Sequence, residues 1–279
     1  MKQTPARTRF KRHFGQANHY LVTGLVALHH LEASNAASAP PELHTTWNPK
    51  DKNSSIHRTR LFTHQAALAS AVDAIDMYIS LLYRKPNYIK DKELCSALDG
   101  ANRSVQKKVA AVANHYLLTP ATVALVDVLI TWRNNLVHEL ADNTLRPETL
   151  VALAESATSI AKDYRGLITD GLQKKAEKGD SLTFKETTSL ISAAHHFVEE
   201  VDAIVIKRLD IGELCHEVVR DALAGSSKSA DFVAKYYSLQ PDARRRYVRN
   251  WLANEHGVSG MEDAALEPSI HIARKEGAG

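Results

Sequence analysis

Between Thr131 and Leu140 the chain reads Thr-Trp-Arg-Asn-Asn-Leu-Val-His-Glu-Leu. Three of these side chains, Arg133, Asn134 and His138, are of types that can break a phosphodiester. Cleavage of RNA by its own 2′-hydroxyl needs a base for that hydroxyl and a cation for the charge that builds around phosphorus. Histidine titrates near neutrality and can take or give the proton. Arginine stays protonated and offers phosphate two parallel hydrogen bonds. Asn134 can orient the imidazole or the phosphate, as donor or acceptor. None of the three needs a metal, and no cofactor is implied.

An arginine, a polar residue and a histidine a few positions on make a loose pattern, and it occurs four times: Arg7 to His13, Arg58 to His64, Arg133 to His138 and Arg249 to His256. The first lies in a basic tail. The second straddles an expected helix start and has Thr59 after the arginine. The third alone places Arg-Asn late in a long apolar helix. On that helix, at 100° per residue, Leu125, Leu129, Trp132, Leu136 and Leu140 share an arc of about 80°. Val126, Ile130, Val137 and Ala141 form a second apolar arc roughly 120° away. Two apolar faces need two covers, and the second is either the C-terminal helices or another subunit. Arg133 and His138 flank the second arc, with Asn134 between them. Burial of Val126, Ile130, Val137 and Ala141 between two copies is the expectation.

Arg133, Asn134 and His138 in this setting resemble the motif of the HEPN superfamily, in which Arg, a polar residue and, after four to six intervening residues, His mark a small helical bundle. The resemblance covers about Arg60 to Lys178. It implies a HEPN-like bundle of antiparallel helices, here with a helical C-terminal extension, and a homodimer whose paired motifs make one composite site. It also implies a metal-independent endoribonuclease that leaves a 2′,3′-cyclic phosphate. Such proteins often serve as toxins or antiviral effectors in bacteria. An inhibitor or antitoxin protein therefore joins RNA and a second copy among the implied partners. A non-catalytic dimerisation or binding module is the alternative.

Other constellations compete. Arg249, Asn250 and His256 could be a second, diverged motif making an intramolecular pseudo-dimer, although Asn254 and Gly257 place His256 at a fraying helix end. Arg244, Arg245 and Arg246, interleaved with Tyr236, Tyr237, Tyr247 and Trp251, could hold single-stranded RNA by phosphate contact and stacking. A solvated basic helix face is the simpler account of that run. His195 and His196 point about 100° apart on a helix and do not favour one metal ion. His29-His30 and His216 read the same way. Asp73, Asp76 and Asp127 sit on mainly apolar helices. Asp73 or Asp76 could orient a catalytic group across the bundle. No glycine-flanked nucleophile turn supports a serine hydrolase.

The elements that must position these residues are helices. Periodicity predicts them over about 16–33, 60–84, 91–116 with a bend at Gly100, 120–140, 147–178, 184–209, 211–224, 229–239 and 242–255. Thr119-Pro120 and the Thr183-to-Glu186 capping box are start signals. No strand signal stands out, so the fold class is all-α. The expected division is 1–55 as a basic arm, helix and loop, 56–180 as the HEPN-like bundle, and 181–279 as a C-terminal helical region.

Composition bounds the alternatives. The chain has 279 residues, 44% hydrophobic and 24% charged, with two cysteines, Cys95 and Cys215. That excludes a disulfide scaffold, a four-cysteine zinc ribbon and a mostly disordered chain. Residues 1–60 hold nine basic and three acidic side chains, against 26 basic and 29 acidic in the rest. A basic arm can contact phosphate, and a solvated tail is the simpler reading. The apolar stretch Tyr20 to Leu31 is interrupted by His29 and His30 and followed by Glu32, which argues for a helix over a signal peptide. No apolar run of about 20 residues suggests a membrane span. The expected location is the cytoplasm.

Overall fold

The computed structural model describes residues 1–35, 38–137, 144–178, 180–225 and 230–273, apart from the side chains of 136, 137 and 177. Among them it has thirteen α-helices and no strand, so the fold is all-α as expected.

The first helix, α1 (Pro5–Ala33), starts well before the expected residue 16. Pro5 stands at the first helical position, and Thr4 caps the end by accepting the Arg7 N–H at 3.1 Å. The basic residues assigned to an arm therefore ride on a helix. Phe10 and Phe14 explain why. They lie one turn apart, are fully buried and pack on the His195 ring at 5.3 and 5.1 Å between centroids. A buried carboxylate completes the anchor. Asp202 accepts the Thr4 N–H at 3.1 Å, the Thr4 hydroxyl, and the Tyr78 hydroxyl at 3.3 Å. Arg7 pairs with Glu199 on the same side.

Helix α2 (Lys52–Tyr83) packs along α1 and begins eight residues earlier than expected, because Asp51 caps it through the Asn53 and Ser54 N–H groups. Among the described helices, α2 alone is long and apolar enough by composition to cross a bilayer. Most of its apolar side chains from Ala67 to Leu82 are buried in the core. The expected third helix is two, α3 (Lys92–Gly100) and α4 (Val105–Tyr116), broken just past the glycine. Helix α5 (Pro120–Val137) follows. The expected fifth helix is three, α6 (Pro147–Glu155), α7 (Ala157–Asp163) and α8 (Thr169–Lys178).

Helix α9 (Phe184–Arg208) opens on the expected capping box, in which Thr183 Oγ1 accepts the Glu186 N–H and Glu186 Oε2 accepts the Thr183 N–H. It packs on α2, α5, α4 and α1 and buries Leu190, Ala194, Phe197 and Val201. Helix α9 packs on α2 and α5, and the buried side chains on either side of residue 180 belong to one apolar cluster. Helices α10 (Ile211–Leu223), α11 (Ala230–Ser238), α12 (Pro241–His256) and α13 (Asp263–Ile270) pack on one another, and their buried residues join the same apolar cluster. Lys90 ties this group to the bundle through Glu213 and Glu217 at 2.8 and 3.3 Å.

Burial holds the His195 imidazole below the usual 6.5, with Glu199 opposing and Lys11, His196 and Arg7 adding to the effect. Burial lowers His64 in the same way, with a further push from Arg60. A base depressed on folding takes up its proton in the unfolded chain first. Its contribution is intact above pH 6.5 and is lost as the pH falls from there toward the lowered value. The urea midpoint is therefore expected to fall between about pH 7.5 and about pH 5. His195→Phe, which cannot titrate, should lessen that fall, and an equal fall in this variant would remove His195 from the explanation.

Candidate active site

Helix α5 carries the Arg-Asn pair, and its burial determines where chemistry is possible. From Ala124 to Trp132 every residue is buried. A helix apolar on all sides belongs in a core, and α5 is enclosed by α2, α4, α6 and α9. Its entry is held by Glu200 of α9, which accepts the Thr119 N–H at 2.8 Å and the Thr119 hydroxyl at 2.9 Å. A carboxylate there also suits the positive end of the helix dipole. The one carboxylate on its buried length, Asp127, is matched by Gln106 at 2.7 Å, Thr149 at 2.5 Å and Arg146 at 3.1 Å. That set is a structural network with its acceptors filled.

The helix emerges from the core at Arg133. The guanidinium donates to Asp73 Oδ1 at 3.2 Å and to Asn134 Oδ1 at 3.3 Å, and its Nε–H is buried with no partner among the described residues. The Arg133 side chain is 23% exposed and that of Asp73 63%. An ion pair this open is worth about 0–1 kcal/mol, so a phosphate can replace the carboxylate at small cost. Asp73, which the sequence offered only as one of two acids able to orient a catalytic group, is the residue that meets Arg133. Asp76 is held by Lys108 at 2.6 Å. On the other side Trp132 borders a 50 Å³ cavity with His64 and Leu182. His64, the end of the second pattern match, is buried, with Nδ1 2.8 Å from Thr187 Oγ1. His138 and Ala141 lie outside the described residues, as does the side chain of Val137; α5 itself is described to Val137, the residue before His138.

Two of the expected interface residues are corrected. Val126 and Ile130 are 0% and 1% exposed within one chain. The second apolar face is covered at these two positions from within the chain, by the helices that enclose α5, and a second copy cannot reach these side chains. Ile130→Asp, which would have dissociated a dimer, is expected to destabilise the chain itself. A buried unpaired carboxylate here should cost more than about 3 kcal/mol. Thermal unfolding followed by circular dichroism checks this, and an unchanged melting temperature would contradict it.

The arginine run is also not the RNA surface expected. Arg244 donates to three carbonyls, of Tyr236, Leu239 and Ile270, at 2.8–2.9 Å, and lies 4.7 Å from the Tyr236 ring centroid. It ties the ends of α11 and α13 together. Arg245 is bound by Glu267 at 2.9 Å and Asp242 at 2.8 Å. Arg246 alone of the three is exposed, with no ion pair among the described residues. The rival pair separates as well. Arg249 is paired with Asp263, whereas His256 leans on Trp251 at 5.1 Å and is held below its usual pKa by burial. Their ion-pair and ring contacts give no sign of a shared site.

Comparison with protein-family models, with curated protein sequences and with solved structures returns no match to the chain. What fold and site define is therefore a class described by its own geometry: an all-α bundle whose central helix leaves the core at an arginine-asparagine pair.

Proposed function

We propose that the chain is a metal-independent endoribonuclease of the HEPN type, using Arg133, Asn134 and His138. The observation that carries this reading is the exit of α5 from the core. Nine consecutive buried residues end at a guanidinium whose counter-ion is exposed and weakly held. Such a group is positioned by a rigid helix and is still open to a phosphate.

In the reaction, His138 takes the proton from the 2′-hydroxyl. The 2′ oxygen bonds to phosphorus, and the bond to the 5′ oxygen breaks. The leaving 5′ oxygen takes that proton back from the His138 imidazolium, and the products are a 2′,3′-cyclic phosphate and a 5′-hydroxyl. Arg133 leaves Asp73 and neutralises the charge that builds on the phosphate oxygens, while Asn134 keeps the guanidinium in line. A second copy, which the resemblance implies, would meet the chain near the exposed end of α5, beyond Ile130. Growth arrest on expression in bacteria, relieved by His138→Ala, is the expected result in cells. Arrest that persists in this variant would count against the proposal.

One feature favours a second reading, a non-catalytic helical binding module. Arg133 already has an acidic partner in Asp73, as a purely structural arginine would. Under that reading wild-type protein leaves RNA intact.

A further inference from the structure

The N-terminal basic residues, once placed on α1, line a cleft remote in sequence from Arg133. It has a volume of about 640 Å³ and is walled by the first turns of α1, the stretch from Leu81 to Tyr88, and the end of α12 from Asn254 to Gly257. A volume of about 300–1,000 Å³ is usual for a small-molecule site. Three full cations face it, Arg9, Arg12 and Lys85, against one acid, Glu255.

Arg9 and Arg12 are the unusual pair. They stand three apart on one helix, so their side chains are neighbours and repel each other. Both are exposed, and among the described residues neither has a hydrogen bond, ion pair or ring contact. Arg103 and Arg246 are likewise exposed with no ion pair among the described residues, but Arg9 and Arg12 face one cleft together. Lys85 is shared with Asp221 at 3.2 Å but is 80% exposed and free to turn. The N-terminus of α1 adds its positive dipole end to the same wall. The C-terminus of α12 opposes an anion, but two of its last carbonyls are occupied by the Gly257 and Val258 N–H groups. The rest of the wall is apolar, with Leu81, Pro86 and the ring of Tyr88.

We propose that this cleft binds a phosphate ester, with its phosphate between Arg9 and Arg12, Lys85 reaching over it, and its organic part against Leu81, Pro86 and Tyr88. Paired arginines match phosphate oxygens with parallel donors, and the anion would relieve the Arg9–Arg12 repulsion. The phosphates of a nucleic-acid strand and those of a free small ester share this chemistry. The proposal goes beyond RNA cleavage and does not depend on it.

The test uses the full chain and two probes, a fluorescein-labelled oligodeoxythymidylate and inorganic tripolyphosphate. The first has no 2′-hydroxyl, so it survives whether or not the chain cleaves RNA. Strand binding is read by anisotropy over a salt series. Tripolyphosphate binding is read by calorimetry. Arg9→Glu with Arg12→Glu should weaken binding at least about ten-fold, and each lost phosphate contact should flatten the strand's log–log salt dependence by about 0.7. Arg58→Glu with Arg103→Glu, the same charge change at exposed sites outside the cleft, should weaken binding less than about two-fold. Arg9→Gln with Arg12→Gln repeats the test without introducing repulsion, and circular dichroism checks that both double variants fold. Loss of both probes supports the cleft as a site for either source. Loss of strand binding alone, or of tripolyphosphate alone, supports it and names the strand or the small ester as the source. Failure of both probes to bind the wild type overturns the proposal. So does equal weakening by the Arg58/Arg103 and the Arg9/Arg12 changes.

Discussion

Replacing His138 by alanine is expected to slow RNA cleavage by about 100- to 10,000-fold, the usual worth of a positioned proton-transfer group. Arg133→Ala should cost about 100- to 1,000-fold, because the charge on the phosphorane then loses its preorganised donors. Arg133→Lys should recover little, since an ammonium cannot supply the paired donors of a guanidinium. The fold should survive Arg133→Ala. Its side chain leaves the core at the end of the buried run, and its ion pair with Asp73 is largely open to water. Asp73→Asn separates catalysis from scaffolding. If Asp73 only holds the empty site, freeing Arg133 should leave cleavage within about three-fold of wild type, because such a pair is worth at most about 1 kcal/mol. Single-turnover cleavage of a defined RNA reads all four variants. Equal rates for wild type, Arg133→Ala and His138→Ala would remove this site from the reaction.

The second large effect is on stability. Asp202→Ala should destabilise the chain by roughly 3–5 kcal/mol. It leaves the Thr4 N–H, the Thr4 hydroxyl and the Tyr78 hydroxyl without their acceptor. Each buried donor left unsatisfied costs about 1–3 kcal/mol, and neighbouring losses do not add fully. Tyr78 retains one partner, the Val198 carbonyl at 3.3 Å, which keeps the total toward the lower part of that range. The loss should centre on α1, so hydrogen exchange should quicken over its first turns before the α5 core opens. A drop in the urea midpoint with unchanged exchange in α1 would show that Asp202 acts elsewhere.

How much of this was legible in the sequence depended on whether the signal was local. Thr183 and Glu186 announce the start of α9 through a reciprocal pair three residues apart, and the structure has both bonds. Pro120 announces α5, and the apolar run that stops at Arg133 marks where that helix leaves the core. The two apolar faces of α5 were equally legible. What covers the second was not, because periodicity defines a face without naming its neighbour. The cover over Val126 and Ile130 is the chain's own bundle. Helix α1 starts well before residue 16, although five basic residues in the first twelve suggest a solvated tail. Phe10 and Phe14, four apart, were the overlooked helical signal. Arg244 shows the limit of reading charge runs. Its neighbours in sequence are cations, whereas its neighbours in space are three carbonyls and the face of Tyr236. The pairing of Arg133 with Asp73 joins helices sixty residues apart, and only two candidate acids on α2 hinted at it.

The most direct test of the ribonuclease reading is the chemistry of the ends it leaves. Purified wild-type chain, incubated with total RNA alongside the Arg133→Ala, His138→Ala double variant, is analysed for terminal groups on the fragments. The account predicts fragments bearing 2′,3′-cyclic phosphate and 5′-hydroxyl ends with the wild type, and intact RNA with the double variant. Intact RNA with the wild type, or the same fragments from both proteins, would contradict it.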